Sequence, residues 1–91
     1  MGWFSSTTYS TEEHAISSEQ IRALVSRSRV SSLTPEQEKL IEDAIREKRH
    51  GDGKISLQQI YDALSHLKHA GEISETDRAG VMRVFEKHFK S

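Results

Sequence analysis

Five histidines, one basic run and many hydroxyls are the residues of this chain with chemistry to offer. His66 and His69 lie three apart, a spacing that puts two imidazoles on one helix face. Zinc sites use such pairs together with a third or fourth donor. His14, His50 and His88 are scattered elsewhere, and there is no cysteine to complete a thiolate site or act as a nucleophile. Arg46-Glu47-Lys48-Arg49-His50, with Lys54, forms a basic knuckle. Cations at a helix C-terminus complement its dipole, and the same knuckle offers itself to an anionic surface or headgroup. Gly51-Asp52-Gly53-Lys54 falls short of the Gly-x-x-x-x-Gly-Lys-Ser/Thr phosphate loop. No serine sits in a Gly-x-Ser-x-Gly elbow or beside an organised His and Asp pattern. The expectation is a protein that is not an enzyme and carries no cofactor.

These residues are set on elements that announce themselves through one repeated phrase. An aliphatic residue, Ser or Thr, any two residues and then Gln or Asp occurs four times. The four are Ile16-Ser17-Ser18-Glu19-Gln20, Leu33-Thr34-Pro35-Glu36-Gln37, Ile55-Ser56-Leu57-Gln58-Gln59 and Ile73-Ser74-Glu75-Thr76-Asp77. Each is helix-start chemistry: the hydroxyl caps a free N–H of the first turn, and the residue three later reaches back. Pro35 falls at the first helical position, where its missing N–H costs nothing. Ile16 with Ile21, and Ile55 with Ile60, are spaced as hydrophobic staples. Apolar steps of three and four predict helices over about 18–29, 35–49, 57–69 and 75–90, the third stopping at Gly71.

Ninety-one residues make one domain. Thirteen basic residues nearly balance 14 acidic ones, for a net charge of −1. That balance argues against a dedicated nucleic-acid binder. No apolar run approaches the ~20 residues of a membrane span and no signal-peptide core is present, so the expected compartment is cytoplasmic. Met1–Thr11 sets Trp3, Phe4 and Tyr9 among Ser and Thr without periodicity. Residues 1–15 are therefore expected to form a flexible tail, with a helical domain over 16–91. Gly2 and Ser6 fit the N-myristoylation pattern, although Trp3 directly after the glycine departs from it. No membrane contact is expected, and Gly2, Trp3 and Phe4 are the residues that would make one.

The stretch Ile16–Leu64 resembles EF-hand proteins of the calmodulin type. Asp52-Gly53-Lys54-Ile55-Ser56 and Gln59 look like the second half of a twelve-residue loop running from Lys48 to Gln59. Gly53 stands at the sixth position and Ile55 at the eighth. Thr34-Pro35-Glu36-Gln37 is similar to the start of the family's incoming helix. Tyr9–Gln20 reads as a second, worn loop, with Tyr9 first, Thr11 third, Glu13 fifth, Ile16 eighth and Gln20 last. The resemblance implies an all-α, four-helix EF-hand-like bundle with a short loop pairing at Ile16/Ile55.

The family holds calcium with carboxylates at loop positions one, three, five and twelve. Here those positions carry Lys48, His50, Asp52 and Gln59, with Ser56 ninth, and no metal is expected. A lysine or arginine filling the vacant cation place would tether the loop instead. The resemblance then implies a small interaction module that binds an apolar helix of a partner, or of a second copy, without calcium. The expected surface is a cleft between the third and fourth helices, lined by Tyr61, Leu64, Met82, Phe85 and Phe89, with Val84 turned toward solvent, the N-terminal aromatics or a partner. The alternative is a weak calcium- or zinc-responsive sensor that moves its helices on binding metal.

Overall fold

All four hydroxyl-led phrases start helices. The computed structural model describes residues 9–28 and 33–90, and Gly2, Trp3, Phe4 and Ser6 lie outside them. The elements are β1 (Glu13–Ala15), α1 (Ser18–Arg27), α2 (Pro35–Lys48), β2 (Lys54–Ser56), α3 (Leu57–His69) and α4 (Glu75–Lys90). Ser17 with Gln20, Thr34 with Gln37 and Ser56 with Gln59 close reciprocal capping boxes at α1, α2 and α3. The fourth box uses a carboxylate. The Asp77 amide donates to Ser74 Oγ (3.1 Å), and the Ser74 amide donates to Asp77 Oδ2 (3.0 Å). Asp77 is buried, and this bond to a backbone N–H helps offset the desolvation of its charge. Helix α3 ends in a Schellman turn: the Glu72 amide reaches the Leu67 carbonyl (2.9 Å) and the Gly71 amide the Lys68 carbonyl (3.0 Å).

The helices close a ring in which α2 touches α1 and α3, and α4 touches α3 and α1. Each sends one apolar stripe inward. Ile21, Val25, Ile41, Ile45, Ile60, Leu64, Val81 and Phe85 are all fully buried. Ile16 and Ile55 cap one end of this core from the strands. Burying each such side chain is worth about 1.5–3 kcal/mol, so the stripes provide the main drive for folding. Among the described residues no helix is long and apolar enough to cross a membrane.

Two expectations are corrected here. The first concerns the strand pairing, which is antiparallel with His14 opposite Ile55, Glu13 opposite Ser56 and Ala15 opposite Lys54. Ile16 therefore does not face Ile55, and its amide donates to the Gly53 carbonyl (3.0 Å). A two-residue slip preserves the face each side chain occupies, so hydrophobic pattern alone cannot tell the two registers apart. The second correction shortens the tail. Glu13–Ala15 pair with β2, and Tyr9 and Ser10 meet the start of α3, where the Tyr9 amide donates to Gln58 Oε1 (3.0 Å) and the Gln58 amide to the Ser10 carbonyl (3.1 Å). These partners are 48 and 49 residues away, beyond the reach of local composition.

Candidate functional site

The turn between α2 and β2 carries the basic knuckle. Helix α2 ends because its C-cap, Arg49, takes extended backbone angles (φ −67°, ψ 146°). The next five residues close on themselves. The His50 amide donates to the Lys54 carbonyl (3.1 Å), and the Lys54 and Gly53 amides both donate to the His50 carbonyl (2.9 and 3.1 Å). Gly53 sits at φ +84°, a conformation that disfavours any side chain.

Through this turn passes the Arg49 guanidinium. Its Nη1 donates to the Ile16 carbonyl (2.8 Å) and its Nη2 to Ser18 Oγ (3.0 Å). A Cβ at position 53 would lie 3.3 Å from Nη1, so the glycine also makes room for the arginine. Arg49 thus joins the α2–β2 turn to the β1–α1 corner. Nε is buried without an acceptor, and no carboxylate among the described residues pairs with the group. An arginine tether was a generic expectation, and its placement on Arg49 rather than Lys48 comes from the extended C-cap.

The positions read as a degenerate loop do not converge. Lys48, His50 and Asp52 are exposed. His50 pairs with Glu13 across the ladder. Ser56 and Gln59 are committed to the α3 cap, with Gln59 Oε1 accepting from the Ser56 amide (3.0 Å). Among the described residues no group of three or more His, Cys, Asp or Glu side chains could hold a metal ion, and this includes the His66 and His69 pair.

The expected cleft between α3 and α4 is reduced to a pocket of about 170 Å³ lined by Tyr9, Tyr61, Glu75, Arg78, Ala79 and Met82, which is a third correction. Leu64, Met82 and Phe85 are core, and the two helices pack directly on them. Tyr61 is half-buried between the Tyr9 ring (5.1 Å between centroids) and the Arg78 guanidinium (4.8 Å above its ring). Phe89 is half-buried under His14, whose ring stacks on it at 4.7 Å. Val84 and Phe89 are five residues apart, about 140° around a helix of 3.6 residues per turn. They flank opposite edges of the buried stripe and cannot line one cleft. Val84 instead faces a groove between α1 and α4 of about 410 Å³, lined by Leu24, Arg27, Val84, Lys87 and His88.

Among the described residues, a ring of four helices and one short ladder defines the class: a small, mostly helical protein. Comparison with protein-family models, curated proteins and solved structures returns no match.

Proposed function

We propose that the protein is a non-catalytic, EF-hand-like interaction module that binds an apolar-faced helix of a partner without calcium. The EF-hand frame is supported by α2, the turn with Gly53 at its sixth position, the buried Ile55 at its eighth and the outgoing α3. Calcium independence is supported by Arg49, whose guanidinium ties the turn to the β1–α1 corner without a metal. The observation that carries the binding reading is the half-buried Val84 on the floor of the α1–α4 groove.

The groove is flanked by the cations Arg27 and Lys87, with His88 beside them. An isologous dimer on this face would bring these cations near their own copies, so charge favours a different chain. The occupant is an amphipathic helix with leucines at i, i+3, i+4 and i+7 and glutamates beside them.

The test uses a labelled synthetic peptide of that design and a twin with lysine for glutamate. Fluorescence anisotropy should show saturable binding of the acidic peptide only, unchanged by a calcium chelator and lost in Val84→Asp with the helical signal intact. Binding of neither peptide, or binding that requires calcium, overturns the reading. A concentration-dependent dimer abolished by Val84→Asp would make a second copy the occupant and overturn the choice of partner.

A further inference from the structure

The turn that in the resembled family holds a cation is, in this chain, lined by cations. A shallow cavity of about 250 Å³ opens there between Arg46, Arg49, His50, Gly51 and Gly53. No carboxylate lines it. We infer that this turn is an oxyanion site, taking the phosphate group of free phosphate or of a small phosphomonoester. The inference stands apart from the helix-binding groove, since it uses none of the same residues.

Three observations converge. Arg49 carries a charge that no described carboxylate neutralises, and one of its donors, Nε, is buried without an acceptor. Removing a guanidinium from water without a counter-charge is costly, and a bound anion offsets that cost. Arg46 gives Nη2 to Asp43, and its other donors have no described partner. Lastly, the Gly51 amide, at the cavity wall, makes no hydrogen bond among the described residues. An unpaired N–H in a tight turn is a donor for an anion, and side-chain-free glycine allows a ligand to come close.

Asp43 pairs with Arg46 and Glu13 with His50, so the full charge at the cavity without a described counter-charge is that of Arg49. The carbonyl end of α2 opposes it with roughly half a negative charge. Asp52, at the tip of the turn, is exposed and does not line the cavity. The same arithmetic makes the turn a poor cation site. The Nη atoms of Arg49 already serve Ile16 and Ser18 and Nη2 of Arg46 serves Asp43, so phosphate would draw on their remaining N–H bonds, which as charged donors form shorter and stronger bonds than neutral ones.

The experiment is an amide-correlation NMR titration of the full chain at neutral pH. Its arms are sodium phosphate, O-phosphoserine and sodium chloride at matched ionic strength. Phosphate should produce saturable shifts at the Gly51 amide and at Arg49 Nε–H, which chloride does not reproduce. Arg46→Gln, at a half-buried position where the guanidinium pairs with Asp43, should weaken binding by about tenfold, the effect of losing one charge-assisted pair, while leaving distant amides such as Leu24 unmoved. Tighter binding of O-phosphoserine assigns the site to an esterified phosphate, and equal binding assigns it to the free ion. Shifts that are linear, absent, matched by chloride or unchanged in Arg46→Gln overturn the proposal.

Discussion

On one side of the two-stranded ladder, β2 is held by its own neighbours. The turn before it closes through His50, Gly53 and Lys54, and the helix after it starts from the Ser56–Gln59 box. On the other side, β1 is followed by the equivalent Ser17–Gln20 box, but what reaches it from behind is distant in sequence. Gln58 meets Tyr9 and Ser10, Gly53 meets Ile16, and Arg49 spans 33 residues to the Ile16 carbonyl. Two strands of equal length, each leading into a capped helix, are thus stabilised at different ranges. The β2 side follows from local sequence, whereas the β1 side depends on the rest of the fold being in place.

The largest expected effect comes from cutting the long-range side. Arg49→Ala removes two hydrogen bonds from a charged donor and leaves the Ile16 carbonyl without that partner. Bonds to charged groups contribute about 1.5–3 kcal/mol each, so a loss of about 3 kcal/mol is expected by urea unfolding. The loss should be uneven. Hydrogen exchange at the His14 and Ile16 amides should speed up far more than at Ile60 or Leu64. Arg49→Lys should recover only part of it, because a single ammonium lacks the planar fork that spans two acceptors. Equal loss of protection on both sides of the ladder would mean that β1 and β2 form one cooperative unit, and the comparison would fall.

The same divide explains what the sequence made legible. Helix starts at 18, 35, 57 and 75 were readable because a cap is a local transaction among five residues, and each hydroxyl–Gln or hydroxyl–Asp pair found its partner. The ladder register was not readable. Ile16 and His14 share a face of the strand, and the choice between them was made by the Gly53 carbonyl and Arg49. Nor could the expected α3–α4 cleft be judged from one helix. Large apolar residues in α4 are needed on three sides, by α3, by α1 and by His14 from β1. Val84 was legible as an edge residue, but which neighbouring helix would flank it was not.

A smaller effect probes the turn itself. Gly53→Ala combines a left-handed backbone angle, costing about 1–2 kcal/mol, with a Cβ only 3.3 Å from the Arg49 guanidinium. Gly51 at φ +59° has open space around its would-be Cβ, so Gly51→Ala carries the backbone penalty alone. Thermal unfolding should rank Gly53→Ala below Gly51→Ala. In an Arg49→Ala background the gap should shrink, since the atom being crowded is gone. A gap that survives unchanged would show that Gly53 is required for the turn and not for the arginine.

The smallest expected effect lies at the far end of the β1 side, where Tyr9 packs on Tyr61. Burial pushes the Tyr9 phenol above its ordinary range, Glu86 and Tyr61 push it further, and Arg78 pulls it partly back. The folded chain therefore holds this proton when the unfolded chain has lost it. Stability from Tyr9 is fully present below about pH 10 and is lost as pH climbs through the raised folded value. Tyr9→Phe keeps the ring on Tyr61 but has nothing to titrate. Urea midpoints of the two proteins should run parallel at neutral pH and part above about pH 10, with the natural chain falling faster. Exchange at the Tyr9 and His14 amides should rise over the same interval in the natural chain alone, while the Ile60 and Leu64 amides stay protected. Identical alkaline profiles would mean that the Tyr9 hydroxyl is solvated in solution, and the anchoring of β1 would then rest on Gln58, Gly53 and Arg49 without help from the aromatic pair.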